Sequence, residues 1–164
     1  MITKDNMNPD LQLKSISNTS NLYDTDFYLW VQTTAQLLKE KRLDMVDFEN
    51  LIEEIESLGK SDKKELKSRL TTLIEHLLKI KYWQSEKANN ARGWRQTIVE
   101  QRRQIEYLLE DSPSLRGLLA EIWIECYVNA RKDLIKKYEL DAEIFPSEPA
   151  FSLEDILNED YIPE

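Results

Sequence analysis

Residues 61–82 read SDKKELKSRLTTLIEHLLKIKY, and this stretch decides the fold class. Its apolar residues recur every three or four positions, which is the spacing of one face of an α-helix. This face consists of Leu66, Leu70, Leu73, Ile74 and Leu77. Ser61 or Asp62 is a suitable N-cap, because a short polar side chain can accept a hydrogen bond from the first turn. The pattern predicts a helix over about 61–87.

Two shorter helices are predicted before this one. The first covers about 24–40, where apolar residues again follow the helical period. The second begins with Asp44 or Asp47 as its N-cap. We expect it to end at Gly59, since glycine is the usual residue just beyond a helix C-terminus.

Two more helices are predicted after the central one. Residues 89–93 read NNARG and indicate a loop, and the fourth helix then covers about 94–110. Ser112 is followed by Pro113, which is typical of a helix start because proline is tolerated in the first turn. The fifth helix should therefore have Ser112 as its N-cap and run from Pro113 to about Tyr138.

The last twenty residues contain three prolines and predict an extended tail with one short helix near 153–158, capped by Ser152. We expect Phe145, Phe151 and Tyr161 to pack this tail on the rest of the chain. The fold class predicted is all-α: a bundle of about five main helices, with a short C-terminal helix and an extended Pro-containing tail packed on the bundle.

Length and composition indicate one globular domain. The chain has 164 residues, of which 41% are hydrophobic and 32% charged. Residues 1–21 are rich in Asn, Ser, Asp and Thr and carry no helical period, so we predict a disordered N-terminal segment over 1–21. A single helical domain is predicted over 22–164.

No pattern in the sequence indicates export or a membrane. The N-terminus lacks the apolar core of a signal peptide, and no window approaches the roughly 20 apolar residues of a membrane helix. The single cysteine, Cys126, forms no intramolecular disulfide. We expect a cytoplasmic protein.

The charge is unevenly distributed along the chain. The formal net charge is −9, but residues 60–103 hold twelve basic and five acidic residues, a net of +7. Two interpretations stay open: basic helices that pack beside acidic ones, or a basic face for an anionic partner.

The sequence carries no recognisable catalytic or cofactor motif. Its three glycines stand apart, so glycine-rich phosphate-binding loops are absent. One cysteine excludes cysteine-based zinc sites, and one histidine, His76, is too few for a di-iron bundle. We expect no cofactor, no metal ligands and no catalytic residues.

On the predicted fourth and fifth helices, four polar residues occupy positions where the helical spacing predicts apolar residues. They are Gln101, Arg102, Asn129 and Asp133. Buried polar groups need partners, so some of these side chains are predicted to pair across a helix interface. The alternative is that the two helices leave the core at these points and the side chains meet water.

Several strings in the chain, taken together, resemble a known family. They are Tyr23-Asp24-x-Asp26-Phe27-x-x-Trp30, Glu53-Glu54-Ile55-Glu56-x-Leu58-Gly59, His76-Leu77-Leu78-Lys79, Trp94-Arg95-x-x-Ile98, Ser112-Pro113-Ser114-Leu115, and the tail with Phe145-Pro146 and Pro149. They closely resemble the bacterial family catalogued as domain of unknown function twenty-nine, which is abundant in cyanobacteria. The resemblance covers about 22–164 and implies an all-helical single domain but no activity. Many members have a proline soon after the His-Leu-Leu-Lys string, whereas this chain has none there and its third helix should run on.

The resemblance also directs attention to a shared polar surface on the predicted second, third and fourth helices. The strings that recur in the family contribute Glu54, His76, Lys79, Trp94 and Arg95 to it.

Two functions are compatible with the sequence. The first is a non-enzymatic interaction or regulatory module that binds a protein or nucleic-acid partner through the basic third and fourth helices. The second is an enzyme or metal-binding protein that uses the Glu54, His76 and Lys79 edge.

Overall fold

The computed structural model describes residues 19–164, with side chains from Asn21 onward, and every regular element in this range is helical. The helices are α1 (Thr19–Thr25), α2 (Phe27–Lys39), α3 (Phe48–Tyr82), α4 (Gln84–Asp111), α5 (Leu115–Tyr138) and α6 (Leu153–Leu157). The predicted all-α bundle is confirmed. The segment predicted to be disordered lies outside the described residues, apart from 19–21, which belong to α1.

The chain forms two compact units, one ending at Gly59 and one running from Lys60 to Glu164. The N-terminal unit contains α1, α2 and the start of α3, where Asp47 accepts a hydrogen bond from the Asn50 amide (3.3 Å) as the predicted N-cap. Helix α3 belongs to both units, so a single domain over 22–164 stays a prediction.

The C-terminal unit contains the main hydrophobic core. The apolar face predicted within 61–82 is fully buried there, since all five of its residues are 0% exposed. Helix α4 adds Ile98 and Ile105 to this core, and α5 adds Ile122 and Leu134. Burial of each such side chain contributes roughly 1.5–3 kcal/mol to folding.

The C-terminal tail packs as the aromatic residues predict. Phe145 and Phe151 are buried, and the ring of Tyr161 lies 6.3 Å from that of Phe151. Ser152 caps α6: its hydroxyl accepts from the Asp155 amide (3.1 Å), and the Asp155 carboxylate accepts from the Ser152 amide (3.1 Å). This reciprocal arrangement satisfies two backbone donors that a helix start leaves open.

Arg102 holds the end of the tail against α4. Its buried guanidinium donates hydrogen bonds to the carbonyl oxygens of Ile156 (2.8 Å), Asp155 (3.1 Å) and Glu159 (3.3 Å). Carbonyls at a helix C-terminus lack intrahelical donors and favour a nearby cation. A side chain from the middle of α4 therefore closes the tail onto the core.

The predicted pairing of polar residues takes a different form from the one expected. Arg102 is the buried member of the four, and its partners are the backbone carbonyls of the tail rather than the other three side chains. Asn129 is exposed, and Gln101 and Asp133 are half-buried.

The predicted helix end at Gly59 is wrong. Helix α3 continues through it, so the predicted second and third helices are one. A glycine that ends a helix needs a positive φ, and no glycine among residues 19–164 has one. The Glu and Lys residues on both sides are good helix formers. Their helix propensity outweighs the roughly 1 kcal/mol cost of a glycine inside a helix.

The loop predicted at 89–93 is also wrong, because this segment is regular helix within α4. The break lies at Trp83, with φ −92° and ψ 68°, and the run of the third helix to Lys87 is wrong for the same reason. The Trp83 ring packs against those of Trp94 (5.8 Å) and Tyr138 (4.7 Å). Tertiary packing of one large side chain, rather than local propensity, places the break.

The start of α5 differs from the prediction by two residues. The helix begins at Leu115, and Ser114 occupies the N-cap position without a side-chain hydrogen bond. The amide of Leu115 donates to the carbonyl of Ser112 (3.0 Å), so a backbone turn precedes the helix where a serine cap was expected. The predicted end at Tyr138 is confirmed.

Within the described part of the chain, no helix combines the length and the apolar composition needed to span a membrane.

Candidate functional site

Lys79 and Trp94 come together in an aromatic cluster at the C-terminal end of α3. The Lys79 ammonium donates a hydrogen bond to the Tyr138 hydroxyl (3.1 Å) and lies 4.9 Å from the centre of that ring. The Trp83 ring contacts Tyr138 and stacks on Trp94. Lys79 is buried, and the tyrosine already supplies both a polar and a cation–π partner. The Lys79 ammonium is therefore already engaged within the C-terminal unit, while Tyr138 is 45% exposed.

His76 and Glu75 lie next to this cluster. The Nδ1 of His76 is 2.8 Å from the Thr72 carbonyl oxygen, which only accepts, so Nδ1 carries the proton. Burial lowers the pKa of His76 below its ordinary value. Glu75 is 7% exposed and accepts a hydrogen bond from the Lys137 ammonium (3.0 Å). Each of these polar groups thus has a partner within the C-terminal unit.

Arg95 occupies a different surface from its neighbour Trp94. It is exposed and, with Arg92 and Val99, lines a shallow depression of about 560 Å³ on α4. Trp94 turns into the core instead. The two members of the predicted Trp94/Arg95 element therefore do not share one surface.

Several cations of the basic segment 60–103 are paired with carboxylates. The Lys67 ammonium lies 2.7 Å from the Glu125 carboxylate, and the Arg69 guanidinium lies 2.7 Å from that of Glu65. The Arg69–Glu65 pair lies within α3, whereas the Lys67–Glu125 pair joins α3 to α5 and favours the first interpretation, in which basic helices pack beside acidic ones.

Glu54 lies in the N-terminal unit. Its carboxylate accepts a hydrogen bond from the Tyr23 hydroxyl (2.7 Å). This bond, with smaller contributions from desolvation and from the charges of Glu54, Glu53 and Asp24, raises the pKa of Tyr23 to about 12. Glu54 is thus engaged with Tyr23, and three carboxylates surround that tyrosine.

An apolar groove of about 410 Å³ lies between α2 and the start of α3, and we call it the hairpin groove. It is lined by Phe27, Trp30, Val31, Thr34, Ala35 and Leu38 of α2 and by Leu51, Glu54, Ile55 and Leu58 of α3. Ile55 and Leu58 are 60% and 67% exposed, and Phe27 is 49% exposed. Large apolar side chains that share one exposed surface mark sites of interaction.

Two polar atoms in the wall of the hairpin groove have no hydrogen-bond partner in the described part of the protein. They are the indole nitrogen Nε1 of Trp30 and the hydroxyl oxygen of Thr34. The two side chains are 2% and 3% exposed. An unpaired buried polar group costs about 1–3 kcal/mol, so these two atoms lower the stability of the N-terminal unit.

No group of three or more His, Cys, Asp or Glu side chains between residues 19 and 164 is arranged to hold a metal ion. The thiol of Cys126 is buried, and burial raises its pKa, which disfavours the reactive thiolate.

Comparison with known proteins gives the family. The sequence profile of the family described as Domain of unknown function DUF29 matches residues 22–162. The chain belongs to this family. No curated protein and no solved structure shows a significant match to the chain.

Of the five polar-surface residues predicted for this DUF29 chain, the structure brings His76 and Lys79 to one end of α3, with Trp94 joined through Trp83. Glu54 and Arg95 have other surroundings, described above. Sequence reasoning predicted helices over these segments but missed the hairpin groove. The helical spacing of its apolar residues is visible in the sequence. That spacing does not show whether the residues are buried or exposed.

Proposed function

We propose that this DUF29 protein is a non-enzymatic interaction module that binds a partner protein through the hairpin groove. The observation that carries the proposal is the exposure of the groove's large apolar side chains, above all Ile55 and Leu58. Exposed apolar surface is unfavourable in water, and covering it contributes about 25 cal/mol for each Å² before the costs of association are subtracted. This surface replaces the predicted basic helices as the main binding face, because several of those basic side chains already have acidic partners.

A second candidate is nucleic-acid binding through the exposed face of α4. Arg92 and Arg95 stand together there beside the shallow depression, and arginine is well suited to phosphate groups. If this face binds RNA, Arg92→Ala with Arg95→Ala should reduce salt-dependent retention on immobilised RNA. Unchanged retention would contradict this candidate.

The alternative of an enzyme or metal-binding protein on the Glu54, His76 and Lys79 edge has less support. Each of the three side chains already has an internal hydrogen-bond partner. Elemental analysis of the purified protein tests the metal form directly. We further propose a cytoplasmic location in a bacterial cell, for which the lone buried thiol and the family resemblance are the support.

Site-specific photo-crosslinking in the native host tests the proposed function. A photoreactive amino acid replaces Ile55 in the groove, and a matched variant carries it at Val128, which is similarly exposed in the C-terminal unit. We expect discrete adducts of higher mass from position 55 and few from position 128. No adducts at position 55, or the same adducts from both positions, would contradict the proposal.

A further inference from the structure

The length of the hairpin groove matches about three turns of an α-helix. On α2 the lining extends from Phe27 to Leu38, which is roughly 16 Å at 1.5 Å per residue, or three helical turns. Apolar residues recur at helical spacing on both walls, on α2 and on α3: Phe27, Val31 and Leu38, and Leu51, Ile55 and Leu58. A helix that lies in such a groove contacts it through apolar side chains at positions i, i+3 or i+4, and i+7.

The electrostatic surroundings of the groove are acidic. Residues 19–59 contain nine acidic and three basic residues, a net charge of −6. At the Phe27 end, Tyr23 contacts Phe27 (5.8 Å) and donates its hydroxyl hydrogen bond to Glu54, which lines the groove. Asp24 and Glu53 lie close enough to act electrostatically on the same hydroxyl, and both are exposed.

This charge distinguishes between possible occupants. A symmetric pairing of two copies through this groove would bring two units of net charge −6 together, and like charges across an interface are unfavourable. A basic partner is attracted by the negative charge around the groove. This attraction speeds its association and fixes its orientation.

We propose that the hairpin groove binds an amphipathic helix of a partner protein whose apolar face is flanked by lysine or arginine. The basic flank of this helix lies toward the Phe27 end, near Asp24 and Glu53. This inference rests on the proposed function and adds the chemistry of the partner.

Two synthetic helical peptides of about 18 residues test the inference. They share leucine and phenylalanine at the anchor positions, and one carries lysine at the flanking positions where the other carries glutamate. In fluorescence anisotropy titrations of the full chain at low salt, we expect the lysine peptide to bind at least about tenfold more tightly. The difference should shrink as salt screens the charges.

Charge reversal of the protein gives the matched control. Asp24→Lys with Glu53→Lys should remove or invert the preference for the lysine peptide. Glu110→Lys with Glu121→Lys makes the same change in net charge at exposed positions of the C-terminal unit, and it should leave most of the preference intact. Circular dichroism checks that both double variants keep their helical content.

The outcomes separate the inference from the proposed function. Equal binding of both peptides, with adducts at position 55, would overturn the basic partner and keep the groove as an interaction site. If neither peptide binds, and Ile55→Ser dissociates a dimer of the chain, then a second copy occupies the groove and the inference is wrong. If neither peptide binds, the chain is monomeric and position 55 gives no adducts, both proposals fail.

Discussion

The two halves of helix α3 carry the same kind of apolar pattern but differ in burial. In the first half, Ile52, Ile55 and Leu58 are 54%, 60% and 67% exposed. In the second half, Leu66, Leu70, Leu73 and Leu77 are all 0% exposed. An amphipathic pattern therefore shows which face of a helix is apolar. It does not show whether other parts of the chain pack on that face.

The largest expected difference between the two halves is in folding stability. Leu73→Ala leaves a cavity in the core and should lower the free energy of unfolding by about 2–5 kcal/mol. Ile55→Ala removes a side chain that is mostly exposed. It should change the free energy of unfolding by no more than about 0.5 kcal/mol. Urea denaturation followed by circular dichroism measures both. Similar losses in the two variants would show that both halves are equally important for folding.

The second prediction concerns how the C-terminal unit closes its core. Arg102→Met removes three hydrogen bonds to tail carbonyls and should cost about 1–3 kcal/mol, with faster amide hydrogen exchange at Ile156 and Asn158. The matched control is Arg103→Met, because Arg103 is exposed and paired only at the surface with Glu100. If the tail amides of the Arg102 variant exchange at the wild-type rate, Arg102 does not hold the tail.

How much of the structure the sequence predicts depends on whether neighbouring or distant residues determine a feature. The buried face of 61–82 and the Ser152 cap follow from local spacing and local hydrogen bonding, and the structure confirms both. The break at Trp83 and the bonds of Arg102 depend on residues more than ten positions away, so a local pattern does not contain them. The hairpin groove was not predicted because an exposed apolar stripe and a buried one have the same spacing in the sequence.

The third prediction concerns the N-terminal unit at high pH. The pKa of Tyr23 is raised from 10 to about 12, chiefly by its hydrogen bond to Glu54. Since the folded-state pKa lies above the unfolded one, the stabilisation from this bond is full below pH 10 and is lost as the pH rises from 10 to about 12. In ultraviolet titrations of tyrosine, Glu54→Gln should move one tyrosine toward pH 10. Identical titration curves for the variant and the wild type would contradict the bond.

The fourth prediction, with the smallest expected effect, concerns how the stability of the C-terminal unit depends on pH. Burial lowers the pKa of His76 below 6.5. Because the unfolded chain then binds a proton more readily, the protein loses stability as the pH falls below 6.5. His76 is the only histidine, so its ring signals in an NMR titration are unambiguous. A midpoint at or above 6.5 would show that the ring is solvated.

The comparison of the two halves of α3 leads to one central claim, that the exposed half binds a partner while the buried half holds the fold. The most direct test is the dissociation constant of the lysine-flanked peptide for Ile55→Ser, measured beside the wild type by fluorescence anisotropy. The claim predicts that the dissociation constant rises at least about tenfold, which corresponds to about 1.4 kcal/mol, while the urea midpoint stays that of the wild type. An unchanged dissociation constant would contradict it.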